Sequence, residues 1–395
     1  MDFNNISVVN HQMEYRRFGK TNKNVSVITL GGMRFKHVNN DPRDIIPADT
    51  LQEGIEVTQK AFEHGINLVE TAYGYKKSET LYGIVLNEKL KKPRESYYLM
   101  TKGNPKTAEE TRTLVDEQLK ALQTDYLDFY AWHGINTDEL CDMTCAPGGP
   151  VEELLKMKEE GIIGHVGFST HAPVEVIVKA INTDLFEFVN LHYYYFLQRN
   201  KAAIDMAEVK DMGVFIISPN DKGGQLFNPP QKLTDLTAPL HPIQWNARFC
   251  LGHPAIHTLT FGFPKTSRFD LLDGIFPAPA PMATPDSSIK YRMDEQNLLD
   301  PYSGFDGYSM QNDPSGLNIP EILRFRRMWK CYDMIDFGRY RYNMFQEKGH
   351  WFPGTYPTTE NLNKIDLTRC PDNIPLTDLI KETHEALYKP KQKNN

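Results

Sequence analysis

The chain has 395 residues, is 40% hydrophobic and carries a formal net charge of −7 at pH 7. That length holds one large domain with an appendage, or two to three ordinary ones, with ample apolar material for a core. The acidic balance excludes broad electrostatic attraction to nucleic acid or anionic membrane, so small molecules and proteins are the expected partners. No run approaches the roughly 20 apolar residues of a membrane span, and MDFNNISVVNHQMEYRRFGK has no apolar stretch behind a basic start, so the cytoplasm is the expected compartment. Cys141, Cys145, Cys250, Cys331 and Cys370 are odd in number and scattered, which favours free structural thiols over disulfides. Composition carries no signal of oligomeric state.

Short β-rich runs alternate with amphipathic ones along the first two thirds of the chain. VSVITLGG from Val25 precedes a helical pattern over Thr50 to Gly65; INLVETA leads to SETLYGIVLNEKL, with the helix starting at Ser78; YYLMTKG leads to EETRTLVDEQLKALQ. YLDFYAWH, after a cysteine-containing loop, leads to PVEELLKMKEEG. GHVGFST, EFVNLHYYY, VFIISP and IHTLTFGF are each followed by a further helical run, the last being SRFDLLDG. Eight such units without a glycine-rich first turn predict a closed (β/α)8 barrel of the TIM type over residues 15 to 276, close to the usual ~250 residues.

PAPAPMATPDSS then reads as a Pro/Ala linker, and an aromatic, turn-rich segment with one good helix around IPEILRFRRMWKCYDMI follows. The predicted division is 1–276 barrel, 277–288 linker and 289–395 an irregular, partly helical C-terminal extension that packs on the barrel or on a partner chain.

Catalysis in a parallel barrel sits at the C-terminal ends of the strands. Four strand ends carry polar groups: Glu70 with Tyr75 in the following loop, Lys102, His133, and Ser169 with Thr170. Taken singly, a strand-end lysine or histidine is more often a solvated or hydrogen-bonded structural residue, and a loop tyrosine is usually packing. Together they suit protonation of an oxygen. A phenol with a pKa near 10 benefits from a cationic neighbour, which Lys102 can be, and Glu70 can hold that lysine charged and oriented. His133 can then orient a carbonyl.

On these residues the chain resembles the aldo-keto reductase family, from MEYRRFGKTNKNVSVITLGGMRF to SRFDLLDG. The family segment Asp-Thr-Ala-x-x-Tyr-Gly-x-Ser-Glu is similar to Glu70 through Glu79 here, which selects Tyr75 over Tyr73 as proton donor. MTKGN supplies the family lysine as Lys102, and LKALQTDYLDFYAWHGIN the histidine as His133. The resemblance implies reduction of a small-molecule aldehyde or ketone by hydride transfer from NADPH, with NADH an alternative.

It also implies a nicotinamide-amide site at Ser169, Thr170 and Asn190, although Asn190 reads equally as a residue closing a buried strand. A pyrophosphate loop at Ser218, Lys222, Gly223 and Gly224 and a 2'-phosphate site at Lys265, Thr266, Ser267 and Arg268 complete the expected cofactor contacts. A solvated charged cap is the plainer account of the last cluster.

Three departures stand out: Glu70 replaces the family aspartate, Lys76 replaces the glycine after the tyrosine, and Tyr193, Tyr194, Tyr195, Asn220 and Asp221 are unusual in their loops. A catalytically weakened or inactive nicotinamide-nucleotide-binding barrel, serving as a regulatory or protein-interaction module, is therefore the alternative function. One branch of the family carries a ferredoxin-like C-terminal module. Here Cys331 and Cys370 are too few and too far apart for its ligand run, so no iron-sulfur cluster is expected, and the extension resembles such a module without its ligands or an independently acquired cover. Cys141 and Cys145 have no nearby second pair, so no metal site is expected. The aromatic run Tyr193 to Phe196 suggests an apolar substrate.

Overall fold

The structure, a computed structural model, describes residues 13–36, 42–277, 287–346 and 352–389. A hairpin of β1 (Tyr15–Arg17) and β2 (Asn24–Ser26) precedes eight parallel strands that close into a barrel. These are β3 (Ile28–Gly31), β4 (Leu68–Glu70), β5 (Tyr98–Gly103), β6 (Leu127–His133), β7 (Ile163–Ser169), β8 (Phe188–Leu191), β9 (Gly213–Ile216) and β10 (Thr258–Phe261), with β10 pairing back onto β3. The fold is the (β/α)8 barrel that the alternation predicts. VSVITLGG does not form one strand: its first half pairs antiparallel in the hairpin and only Ile28 onward joins the barrel.

Between the strands run α1 (Ala48–Glu63), α2 (Ser78–Gly83), α3 (Ala108–Leu122), α4 (Asp138–Cys145), α5 (Pro150–Glu159), α6 (Val174–Ile181), α7 (Lys201–Val209), α8 (Gln231–Thr237) and α9 (Pro242–Leu251). The expected cysteine loop is α4, capped where the Thr137 hydroxyl accepts from the Leu140 amide at 3.2 Å. The expected last helix, SRFDLLDG, is a 3-10 helix over Thr266–Leu272, whose buried Phe269 and Leu272 are three apart as that tighter turn requires.

Strand alternation sorts the core into two layers. Leu68, Met100, Phe129, Phe188 and Phe215 fill the barrel interior, whereas Val69, Leu99, Tyr130, Val189 and Ile216 face the helices. Phe18, from the hairpin turn, plugs the interior from below, with ring centroids 5.4 Å from Phe129 and 5.6 Å from Phe188. Continuing the inward set up each strand reaches Glu70, Lys102, His133 and Asn190, so the polar strand-end residues form the top layer of a hydrophobic barrel interior.

The C-terminal extension holds α10 (Ser287–Asn297), α11 (Ile319–Tyr332), α12 (Ile335–Tyr342), α13 (Thr359–Leu362) and α14 (Leu376–Leu387). Of the Pro/Ala run 277–288, residues 278–286 lie outside those described, and Ser287 and Ser288 already belong to α10. The extension packs on the barrel through aromatic rings. Tyr332 lies with its centroid 4.8 Å from that of Phe196, and its hydroxyl donates to the Met293 carbonyl at 2.6 Å and lies 2.8 Å from the side-chain amide of Asn297. Tyr195, from the barrel, donates to Asp294 at 2.8 Å.

Truncating fully buried Tyr332 to alanine leaves a ring-sized cavity at this junction and orphans buried acceptors. Tyr332→Ala is expected to cost about 3–5 kcal/mol, read as a lower denaturant midpoint, with barrel and extension signals still moving together.

Candidate functional site

β4 delivers Glu70 and β5 delivers Lys102 to adjacent interior positions, where they are 2% and 1% exposed and form an ion pair through Oε1 and Nζ. Burying two charges costs several kcal/mol unless further hydrogen bonds complete their shells. Here Lys102 also donates to the Thr71 carbonyl at 2.8 Å, while Thr260 donates to Glu70 Oε2 at 3.3 Å. Burial pushes the Lys102 ammonium well below the ordinary lysine value, and the touching carboxylate opposes that shift.

The longer glutamate has room because its neighbour in register is Gly31. A Cβ there would lie 3.3 Å from Glu70 Oε2 and 2.6 Å from Thr260 Oγ1.

After β4 the chain makes a single 3-10 turn, Tyr73–Tyr75, before α2 begins at Ser78. The two tyrosines separate. Tyr73 stacks under the Arg43 guanidinium at 3.8 Å and gives that arginine its carbonyl, while Arg43 also bonds buried Glu79 at 2.7 Å. Tyr75 returns to the barrel mouth, where its hydroxyl donates to Glu70 Oε1 at 3.5 Å and Lys102 Nζ lies 4.9 Å from its ring centroid.

The sequence suggested that Lys102 eases the Tyr75 proton away. The Lys102 ammonium lies under the Tyr75 ring, while the phenol bonds the carboxylate and burial pushes its pKa up to about 12. The His133 ring stands edge-on to Tyr75 at 6.0 Å, and burial, with Lys102 and Lys222 nearby, pushes its pKa down to about 3, so it is neutral at physiological pH.

His133, Ser169 and Asn190 are consecutive register partners across β6, β7 and β8. Ser169 Oγ, Asn190 Oδ1 and both amide atoms of Asn220 are buried without hydrogen-bond partners among the described residues, an arrangement that fits the polar atoms of a bound ligand such as a nicotinamide amide. Thr170 is different. Its hydroxyl donates to the Ile135 carbonyl at 2.6 Å and accepts from the Ala172 amide, so it clamps two loops.

In the loop after β9, Ser218 has φ of 51° and Gly223 leaves no space for a Cβ beside the Pro219 carbonyl. The amides of Lys222 and Gly224 bond back to the Ser218 and Asp221 carbonyls, so they serve the turn and do not point outward as a phosphate cradle would need. The Lys222 ammonium is half-buried 3.5 Å from His171 Nδ1, and Asp221 pairs with Arg34 at 2.8 Å. Arg268 lies over the Phe227 ring at 5.0 Å, bringing the turn after β10 to the same loop, whereas Lys265 is exposed.

The aromatic wall is also corrected. Tyr193, Tyr195 and Phe196 are consumed by packing against Trp245, Phe249 and Tyr332, and of the four residues only Tyr194 reaches the cavity at the mouth. Sequence reasoning missed Thr260, whose inward position follows from alternation in β10, and the pair His171 and His192, stacked with centroids 4.7 Å apart. It also missed Arg324 and Arg341, for which a helical charge run gave no pointer.

Residues 27–228 match the family described as Aldo/keto reductase family. The chain belongs to the aldo/keto reductase family. It is 31% identical over 161 residues to D-arabinose 1-dehydrogenase of Saccharomyces cerevisiae, covering 39% of this chain and 45% of that protein. It is 28% identical over 183 residues to L-galactose dehydrogenase of Arabidopsis thaliana, covering 43% and 52%. The chain thus spans about half the length of these curated relatives. An aldo-keto reductase from Bacillus halodurans in its holo form superposes with a TM-score of 0.58 at 19% identity, over 71% of this chain and 96% of that one. In this aldo/keto reductase the family match ends before β10, so Thr260 and the whole extension lie beyond it.

Lys76, at the position the family fills with glycine, has φ 55° and ψ −115°, a conformation costly for any residue with a Cβ. Lys76→Gly is expected to stabilise the protein by about 1 kcal/mol in chemical denaturation. The half-buried His133 and His171 and the buried His192 generate a pH effect. His133, His171 and His192 all have folded pKa values below the unfolded value near 6.5, so their stabilising contribution is present above pH 6.5 and is lost as pH falls through the folded values. Unfolding free energies at pH 7.5 and 5.5 should differ by about 1.4 kcal/mol per histidine for each pH unit below 6.5. A stability unchanged over that interval would contradict the assigned burial.

Proposed function

We propose that the protein is an NADP(H)-dependent oxidoreductase that reduces an aldehyde or ketone, with Tyr75 as proton donor. The observation that carries this reading is the convergence of Glu70, Lys102, Tyr75 and His133 at one barrel mouth. A bound nicotinamide supplies a hydride to the carbonyl carbon. Tyr75 keeps its proton throughout the physiological range and is partly exposed, so it can deliver that proton to the carbonyl oxygen and be recharged from solvent. The Lys102 ammonium beneath its ring favours the phenolate left behind, and Glu70 fixes both partners. Neutral His133 can donate one N–H to the substrate oxygen.

Ser169 and Asn190 are the groups proposed for the nicotinamide amide, and Ser218, Gly223 and Lys222 for the pyrophosphate region. Lys265, Thr266 and Arg268 are proposed for a 2'-phosphate, which favours NADPH over NADH. The buried Nε of Arg268, without a hydrogen-bond partner among the described residues, supports that preference. The cytoplasm is the proposed compartment, in keeping with five unpaired thiols.

The test follows NADPH absorbance with a panel of aldehydes and ketones. No turnover with any carbonyl, despite measurable NADPH binding, would overturn the catalytic reading. Glu70→Asp separates a tuned site from a drifted one. Because Gly31 and Thr260 are spaced for the longer side chain, shortening it should draw the carboxylate from Lys102 and Tyr75 and lower kcat/KM by about 10- to 100-fold. A gain in rate would mean that the site has drifted from catalysis.

A further inference from the structure

The turn after β9 holds its backbone tightly and leaves the Asn220 side chain unbonded. The Lys222 amide donates to the Ser218 carbonyl at 3.0 Å, which closes the turn around Asn220. Asn246 of α9 donates to the Pro219 carbonyl at 3.2 Å, and the Leu226 amide donates to the Asn220 carbonyl at 2.7 Å. The chain is thus pinned on both sides of this residue. Its carboxamide, in a residue only 5% exposed, has neither Oδ1 nor Nδ2 hydrogen-bonded among the described residues.

An amide buried with both polar atoms unpaired is unfavourable, and in native proteins such a group marks a missing partner. The amide itself states what that partner must be. Oδ1 accepts and Nδ2 donates whichever way the group is turned, so a complementary group must both give and take a hydrogen bond. Pyrophosphate oxygens only accept and would leave half of the amide unserved, whereas a pair of hydroxyls serves both halves. Position narrows the choice further. Around the barrel the order is β7, β8, β9 and β10, so Asn220 stands between Ser169 and Asn190, proposed for the nicotinamide amide, and Arg268, proposed for the 2'-phosphate. Between those two ends of NADPH, the hydroxyl pair free of phosphate is that of the nicotinamide-side ribose.

We propose that the Asn220 carboxamide holds the vicinal hydroxyls of the nicotinamide-side ribose of NADPH. The inference rests on the cofactor reading made above and extends it to a residue that is unusual in its loop. It has a consequence for the unliganded protein. Asn220 is unfavourable without cofactor and favourable with it, so its replacement should move stability and affinity in opposite directions. A residue kept only for packing would lower stability and leave affinity alone.

The test compares the full-length chain with Asn220→Leu, which is close in volume and cannot hydrogen-bond. Calorimetric titration uses NADPH, 2'-phospho-ADP-ribose, which keeps the ribose hydroxyls without the nicotinamide, and 2',5'-ADP, which lacks both. The variant should bind NADPH and 2'-phospho-ADP-ribose about 10- to 30-fold more weakly, bind 2',5'-ADP unchanged, and unfold at a higher denaturant concentration when no nucleotide is present.

Unchanged affinity for NADPH overturns the proposal and, where carbonyls are reduced, leaves the reductase reading intact. An equal loss with all three nucleotides overturns the assignment to the ribose. A lower unfolding midpoint in the unliganded variant also overturns the proposal, because the amide would then be satisfied without a ligand. Selective weakening with no turnover of any carbonyl keeps the ribose contact and overturns the reductase reading. If the unmodified chain binds no nicotinamide nucleotide, both fall. Should the leucine variant fail to fold, Asn220→Ala is read by the same comparison of 2'-phospho-ADP-ribose with 2',5'-ADP.

Discussion

The buried contact between Glu70 and Lys102 is the constraint around which the barrel mouth is arranged. Two charges at the top of a hydrophobic interior are tolerated only because every neighbour serves them: the Thr71 carbonyl accepts a hydrogen bond from the lysine, Thr260 donates to the second carboxylate oxygen, and Gly31 withholds a side chain. Tyr75 enters as the remaining donor to that carboxylate. Its place thus depends on a short turn after β4, and Arg43 holds the turn by gripping Tyr73 from outside. Position and chemistry have one cause, because the carboxylate that stabilises the lysine also aims the phenol.

The barrel and the four-residue cluster were legible in the sequence because both rest on short-range periodicity. Eight short β-rich runs, four of them ending in polar groups, determine which side chains rise into the mouth. Glu70, Lys102 and His133 follow from that count, and Tyr75 from its spacing to Glu70. What the sequence did not reveal depends on contacts across long separations. The Cys141 segment is a capped helix because Thr137 is an N-cap, a local signal that the cysteines obscured. The Tyr193 to Phe196 run looked like a binding wall but packs against α9 and α11, which no pattern within the run encodes. Nothing in the sequence pointed to Arg324 and Arg341, whose setting is visible only once the extension is seen folded over the mouth.

Glu70 illustrates how a departure is absorbed. An added methylene in a packed interior costs stability unless space is provided, and here the space lies one strand away, at a glycine in register with it. Lys76 is the opposite case, since nothing in the structure relieves its positive φ. The two substitutions sit six residues apart and differ because one lies among residues shaped around it and the other on an exposed turn.

The extension changes what the barrel mouth can be. A barrel of this kind leaves the space above its strand ends to loops, which adapt readily and hold charge poorly because water screens it. Here helices cover that space, and they bring arginines into a setting of low exposure where each charge acts strongly on its neighbours. The effect reaches the centre of the mouth. Lys222 and Arg341 act on His171 and His192, and Lys222 on His133, so the neutrality of all three histidines is partly a consequence of cations clustered under the extension.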